Sequence, residues 1–162
     1  MMYRLVSIAL LALVIIDTII ILYMKKRIKY KTTMIDKKQQ MATKNDRLFR
    51  MALKWAEKNT QEKCVYSFLK ARGYSTILVY GMHYAGELVV EELMNSDIQV
   101  VCGVDQNAEK IVSFVKTIHP HDEFPVVDAI IVTAVDAFPL IEEKLIKKVS
   151  CPIISLEDII YD

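Results

Sequence analysis

The first strong pattern in the chain is an uninterrupted hydrophobic stretch near its start. Residues 5–24 read LVSIALLALVIIDTIIILYM, and only three of them are polar. A helix of this length rises about 30 Å, which matches the hydrocarbon thickness of a bilayer. The basic run KKRIKYK at residues 25–31 follows it, where a cleaved signal peptide would have a small-residue cleavage site. The pattern therefore predicts a transmembrane anchor within residues 1–24.

The next segment, residues 43–72, has an amphipathic pattern. Apolar side chains between Leu48 and Ala56 recur at helical spacing, which predicts a first helix. Asn59 and Glu62 are spaced as a capping box, so a second helix is expected to begin there. Gly73 is a typical residue just beyond a helix C-terminus. We therefore predict a helical connector that leads directly into a strand.

Beyond the connector the pattern changes to short, β-branched runs. Residues 76–80 read TILVY, which is typical of a buried parallel strand. A turn with two glycines at 81–86, a helix over 87–94 and a second apolar strand over 98–104 follow, and Asp105 ends the unit. A strand, glycine turn, helix, strand and acid within about 30 residues is typical of the first βαβ unit of a Rossmann-like fold.

The remaining residues supply enough strands to complete one sheet. Apolar runs at 111–118, 128–133 and 152–155 are each predicted to be strands, and Asp136 is placed to cap a helix between the last two. We therefore predict that residues 73–162 form an α/β domain. Its architecture is a Rossmann-like doubly wound parallel sheet of about five strands in the order 3-2-1-4-5.

The glycine turn carries the candidate chemistry of this domain. Gly81 permits a tight turn out of the strand, and Gly86 lets the helix pack closely against it. The helix N-terminus presents backbone N–H groups and a positive dipole end to a phosphate. Asp105 follows the second strand, where an acid accepts hydrogen bonds from ribose hydroxyls. The predicted cofactor-binding residues are Gly81, Met82, His83, Tyr84, Gly86, Asp105 and Thr133.

His83 departs from the usual glycine pattern, because it replaces the middle glycine of G-x-G-x-x-G. That glycine normally lets the backbone approach a pyrophosphate closely. An imidazole there blocks a dinucleotide, shifts the ligand, or contacts a phosphate itself. The sequence leaves two alternatives open, a site that binds NAD(P) or a nucleotide-sugar and a vestigial site in which only the fold remains.

Charge divides the chain into a basic front and an acidic back. Residues 1–40 carry eight basic and two acidic side chains, residues 41–72 carry eight and three, and residues 73–162 carry five and fifteen. The acidic domain argues against nucleic-acid binding, which needs Lys and Arg at the phosphates. Seven basic residues follow the predicted span by Lys38, and one precedes it. The basic linker at 25–42 and the domain behind it are therefore expected on the cytoplasmic side of a cell membrane.

Cysteine and histidine give no metal-site pattern. The three cysteines contain no C-x-x-C pair, so a zinc ribbon and a disulfide framework are both disfavoured. His119, His121, Asp122 and Glu123 crowd a proline-flanked loop without a metal-ligand spacing. We interpret this group as a solvated loop and predict no metal.

Several segments together resemble a known family. They are GYSTILVYG at 73–81, GEL at 86–88, EEL at 91–93, VDAIIVT at 127–133 and CPIISLEDI at 151–159. Over roughly residues 47–162 the chain resembles the NAD(P)-binding Rossmann domains of nucleoside-diphosphate-sugar epimerases and dehydratases. It is most similar to short membrane-anchored relatives that occur beside bacterial polysaccharide and glycosyltransferase genes. The resemblance implies a sugar-nucleotide or dinucleotide ligand. It implies no reaction, because the catalytic Tyr-x-x-x-Lys pair after the glycine turn and the substrate domain are both missing.

Three functions follow from these observations. The first is a single-pass membrane protein whose cytoplasmic domain binds a nucleotide or nucleotide-sugar for cell-surface polysaccharide biosynthesis. The second is an NAD(P)-dependent enzyme that modifies a sugar nucleotide. The third is a ligand-free scaffold that docks to a glycosyltransferase, to another polysaccharide-synthesis protein or to a second copy of itself. The sequence identifies no catalytic residue and leaves open whether the chain is an enzyme.

Overall fold

The computed structural model describes residues 2–61 and 63–162, with side chains described from Ile15 onward except at residue 62. The chain divides into two compact units, one up to Arg47 and one from Leu48 to Asp162. Within the described residues, no helix combines the length and the apolar character needed to cross a membrane. Residues 5–14, half of the predicted span, lie outside the described side chains, and so does Glu62 of the predicted capping box.

In the described chain a long first helix is followed by four shorter α-helices and five strands. The helices are α1 (Met2–Asn59), α2 (Cys64–Ala71), α3 (Tyr84–Leu93), α4 (Phe138–Leu145) and α5 (Leu156–Tyr161). The strands are β1 (Thr76–Tyr80), β2 (Gln99–Val104), β3 (Thr117–Ile118), β4 (Ala129–Val132) and β5 (Ile153–Ser155).

The five strands form one parallel sheet in the order β3-β2-β1-β4-β5. This confirms the predicted α/β class, the parallel sheet and the strand order. In the centre, Leu78 of β1 lies opposite Ile130 of β4, and both side chains are fully buried. Strands with two covered faces must be apolar at successive positions, which is why β1 and β4 read as continuous hydrophobic runs.

Alternate strand residues fill two separate hydrophobic cores. On one face Ile77, Val79, Ala129 and Ile131 pack with α2, α3, α5 and the end of α1. On the other face the strands pack against α4 through its buried Leu145. We call these the α3 face and the α4 face. Three helices and the end of a fourth cover the α3 face, whereas α4 alone covers the α4 face.

Three local predictions are wrong in detail. The second helix begins at Cys64, because Asn59 is still part of α1. Of the predicted strand at 111–118, only Thr117–Ile118 pairs with a neighbouring strand. Ile111 and Val115 instead pack against the core of the α3 face. The predicted capping residue Asp136 lies in a 3-10 turn, Val135–Ala137, that precedes α4. Ala137 is the N-cap of α4, and a proline occupies the first turn as expected.

The end of α2 is as predicted. Gly73 has a φ of +73°, its N–H donates to the carbonyl of Lys70, and the N–H of Tyr74 donates to that of Leu69. This pair of bonds is a Schellman arrangement, in which glycine carries the left-handed residue without strain. It turns the chain directly from α2 into β1.

A buried carboxylate connects the helices of the α3 face. Glu92 of α3 is 8% exposed, and its two oxygens accept four hydrogen bonds. Oε2 accepts from Trp55 Nε1 at 3.0 Å and from Asn59 Nδ2 at 3.1 Å, while Oε1 accepts from the N–H groups of Val65 at 2.8 Å and Tyr66 at 3.0 Å. An ionised carboxylate offers about four acceptor sites, so Glu92 is fully satisfied. Its charge also lies at the positive end of α2, which stabilises that helix.

We predict that Glu92→Gln destabilises the fold far more than Glu91→Gln. The amide nitrogen of glutamine cannot accept, so two of the four donors lose their partner inside the protein. The expected loss is about 3 kcal/mol of unfolding free energy, measured by urea denaturation with the fluorescence of Trp55, the only tryptophan. Glu91 is exposed on the same helix, so its variant is expected within about 0.5 kcal/mol of the unaltered chain. Equal effects of the two substitutions would contradict this role for Glu92.

Candidate functional site

The candidate site lies where β1, β2 and β4 end, at the carboxyl end of the sheet. The glycine turn connects β1 to α3, and the N–H of Gly81 donates to the carbonyl of Val104, the last residue of β2, at 2.8 Å. β1 lies between β2 and β4, so the chain leaves the sheet at the point where the strand order reverses. Crevices at such switch points are where open α/β sheets bind ligands.

Thr133, just beyond β4, holds the turn in place. Its hydroxyl donates to the carbonyl of Gly81 at 2.5 Å, and its N–H donates to the carbonyl of Tyr80 at 2.9 Å. Gly81 has a φ of +97°, and a Cβ built there would lie 2.6 Å from the Thr133 hydroxyl. Only glycine fits this position without strain. Thr133 is 8% exposed, and its hydrogen bonds to the backbone hold the turn in position.

Two further glycines are dictated by close packing. A Cβ on Gly86 would overlap the carbonyl oxygen of Gly81, so α3 approaches the turn as closely as predicted from the sequence. A Cβ on Gly103 of β2 would overlap the side chain of Met82. Met82 is fully buried, so this member of the predicted set is a packing residue of the turn and presents only its backbone to the crevice.

Asp105 is joined directly to the glycine turn. Its Oδ2 accepts from the N–H of Met82 at 3.0 Å, and its Oδ1 accepts from the N–H of Asn107 at 2.8 Å. The sequence places Asp105 at the end of β2 but gives no sign of these bonds. Two of about four acceptor sites on the carboxylate are used, and the residue is half-buried. The remaining acceptor sites have no partner in the described part of the chain.

No side chain caps the first turn of α3. His83 is the N-cap, and its side chain makes no capping hydrogen bond. The first intrahelical bond is from the N–H of Glu87 to the carbonyl of His83. The N–H groups of Tyr84, Ala85 and Gly86 have no acceptor among the described residues, as expected for the first turn of an uncapped helix. These donors and the positive end of the helix are what an anion requires.

His83 and Tyr84 flank these donors on the surface. Both side chains are exposed, and their rings meet edge to face with centroids 4.2 Å apart. His83 has a φ of −76°, a conformation open to any residue, so the turn does not need the missing middle glycine for its backbone shape. The imidazole instead occupies space beside the turn that a glycine at this position would leave open.

Tyr80, the last residue of β1, was not among the predicted site residues. Its side chain packs with the core of the α4 face. Burial, together with the negative charge of Asp105, raises the pKa of the Tyr80 hydroxyl. The phenol therefore stays protonated and can donate a hydrogen bond beside the turn. No sequence motif marks this residue, because it reads as one more strand position.

The cysteines are not reactive groups of this site. Burial, and then the charge of Glu92, raises the pKa of Cys64 to about 11. Burial also raises the pKa of Cys102 and of Cys151. Thiolate is the nucleophile and metal ligand, so the raised pKa values disfavour both roles for these thiols near neutral pH. Within the part of the chain that the structure describes, no group of three or more His, Cys, Asp or Glu side chains is placed to hold a metal ion.

Comparison with known proteins returns no relative: no protein-family model, no curated protein and no solved structure matches the chain.

We predict that Gly86→Ala and Gly73→Ala differ sharply in stability. The new methyl group at position 86 would overlap backbone that Thr133 and β2 hold in place, so a loss on the order of 3 kcal/mol is expected. At Gly73 nothing lies within 4 Å of a new Cβ, and only the left-handed backbone opposes it, which costs about 1 kcal/mol. Urea denaturation of both variants measures the difference. A Gly86→Ala variant as stable as Gly73→Ala would contradict the close approach of α3 to the turn.

Proposed function

We propose that this chain is a membrane-anchored module whose α/β domain binds a nucleotide or nucleotide-sugar at the glycine turn. The observation that carries the proposal is the uncapped start of α3 at the switch point of the sheet. Three backbone N–H groups, from Tyr84 to Gly86, lack an acceptor in the described chain and lie at the positive end of the ten-residue helix Tyr84–Leu93. A phosphate group supplies acceptors and a compensating charge together.

The ribose of the ligand is proposed to lie against Asp105. This carboxylate is held in position by its bonds to Met82 and Asn107, so it needs no rearrangement before it accepts from a hydroxyl. A ribose diol has two donors, and the carboxylate retains about two acceptor sites. A bond from a hydroxyl to an ionised acceptor contributes about 1.5–3 kcal/mol.

The sugar-nucleotide class and the biological setting come from the resemblance to nucleoside-diphosphate-sugar epimerase domains. We propose that the ligand serves cell-surface polysaccharide biosynthesis and that a glycosyltransferase or a second copy of the chain is the partner. The hydrophobic stretch at 5–24 and the seven basic residues after it support an anchor with the domain on the cytoplasmic side.

We predict that Asp105 discriminates between ADP and 2′,3′-dideoxy-ADP. The unaltered full chain in a non-ionic detergent should bind ADP at least about tenfold more tightly than the dideoxy analogue, as measured by isothermal titration calorimetry. Asp105→Asn should reduce this ratio to about threefold or less, because a neutral amide is a weaker acceptor than a carboxylate.

The control is Asp97→Asn, which removes the same charge from an exposed residue that precedes β2, at the opposite end of the sheet. It should leave the ratio unchanged. An Asp105→Asn variant that loses affinity equally for both ligands would show that Asp105 acts only on the turn. No binding of ADP by the unaltered chain would contradict the proposed function itself.

The membrane topology gives a second prediction. Lys147 is exposed, so Lys147→Cys should remain unlabelled by an impermeant maleimide in intact cells and become labelled once the membrane is permeabilised. Tyr3→Cys, before the predicted span, should be labelled in intact cells. The native thiols give a low background because they are partly or wholly buried and their pKa values are raised. Labelling of Lys147→Cys at the same rate in intact and broken cells would contradict the topology.

A further inference from the structure

A basic cleft lies on the α4 face of the sheet, near the glycine turn but on the opposite side from α3. Its volume is about 570 Å³, within the range typical of small-molecule sites. The lining side chains come from the ends of β1 and β2, from the loop after β3, and from α4 and the turn beyond it. They are Tyr80, Gln106, His119, Pro120, His121, Lys144, Leu145 and Lys148.

The charge of the cleft is opposite to that of the domain around it. Residues 73–162 carry five basic and fifteen acidic side chains, yet two of the five, Lys144 and Lys148, line this cleft together with two of the chain's three histidines. No acidic residue is among the eight that line it.

Lys148 and the loop after β3 are already fixed in place. The ammonium of Lys148 donates to the carbonyl of Pro120 at 2.7 Å and lies 4.9 Å from the ring centre of Phe124. Asp122 of this loop accepts from the N–H of His119 at 2.8 Å. These bonds position one wall of the cleft before any ligand arrives, which lowers the cost of binding.

Lys144, by contrast, is unengaged. Its ammonium has no hydrogen-bond or ion-pair partner in the described part of the chain, and its side chain is exposed and lines the cleft. The phenol of Tyr80 and the amide of Gln106 add two neutral donors at the sheet end. Asp105, whose charge acts on Tyr80, is held by backbone N–H groups of Met82 and Asn107.

We infer that this cleft is a second ligand site, for a small molecule that carries a phosphate or diphosphate group, with Lys144 as its principal charged contact. A phosphate accepts hydrogen bonds from ammonium, imidazole, phenol and amide donors alike, and lysine is a common phosphate ligand. Leu145 and Pro120 offer an apolar surface for the rest of the molecule. The cleft and the start of α3 lie on opposite faces of the sheet, so this site does not depend on the proposed nucleotide site.

Inorganic pyrophosphate is a direct probe, and the three histidines report where it binds. In the full chain in a non-ionic detergent, pyrophosphate should shift the imidazole NMR signals of His119 and His121, whether or not it also shifts that of His83 at the start of α3. Sodium chloride at matched ionic strength should produce neither shift. A shift of His83 reports binding at the start of α3, and shifts of His119 and His121 report binding in the cleft, so the two sites succeed or fail separately.

Lys144→Gln should weaken pyrophosphate binding roughly tenfold, which corresponds to one charged contact. The matched control is Lys147→Gln on the same segment. Lys147 lies outside the cleft, 72% exposed, with its ammonium 3.5 Å from Glu143, and its loss should change the affinity less than about twofold. Equal weakening by both variants would show that the affinity depends only on the net charge of the protein, and this would overturn the proposal. It would also be overturned if pyrophosphate moved only His83, or no histidine at all.

Discussion

The carboxylate of Glu92 is the contact on which the arrangement of the α3 face depends. One side chain holds the end of α1 through Trp55 and Asn59 and caps the start of α2 through two backbone N–H groups. The carbonyl of the same residue accepts from the ammonium of Lys63 at 3.0 Å. Because Glu92 belongs to α3, these bonds tie the connector to the helix that begins at the candidate site.

The other end of α3 is fixed by steric rather than polar constraints. Gly81 and Gly86 allow helix and turn to touch, and Thr133 holds the carbonyl of Gly81 from the neighbouring strand. The first-turn N–H groups therefore have a defined direction although no side chain caps them. A rigid, uncapped helix start is suited to bind an anion, because its donors need no reorganisation. On the α4 face the donors are side chains, and the cleft there is correspondingly basic.

The sheet was predictable from the sequence because each central strand is covered on both faces and must be apolar at every position. The turn at Gly81 and the end of α2 at Gly73 were predictable because backbone geometry requires glycine at both. Contacts between distant residues were not predictable. Glu92 reads as one of two adjacent glutamates on a helix, and only the folded chain shows that it, and not Glu91, faces Trp55. Met82 reads as a loop residue, and its burial depends on Gly103 in another strand.

The central claim is that phosphate binds the first turn of α3, and the backbone amide NMR signals of that turn test it most directly. When the ¹⁵N-labelled full chain is titrated with ADP, the signals of Tyr84, Ala85 and Gly86 should move most, since their N–H groups gain an acceptor. The signal of Gly73, at the opposite end of β1, should not move. Saturable binding of ADP that leaves the three first-turn signals in place would contradict the account.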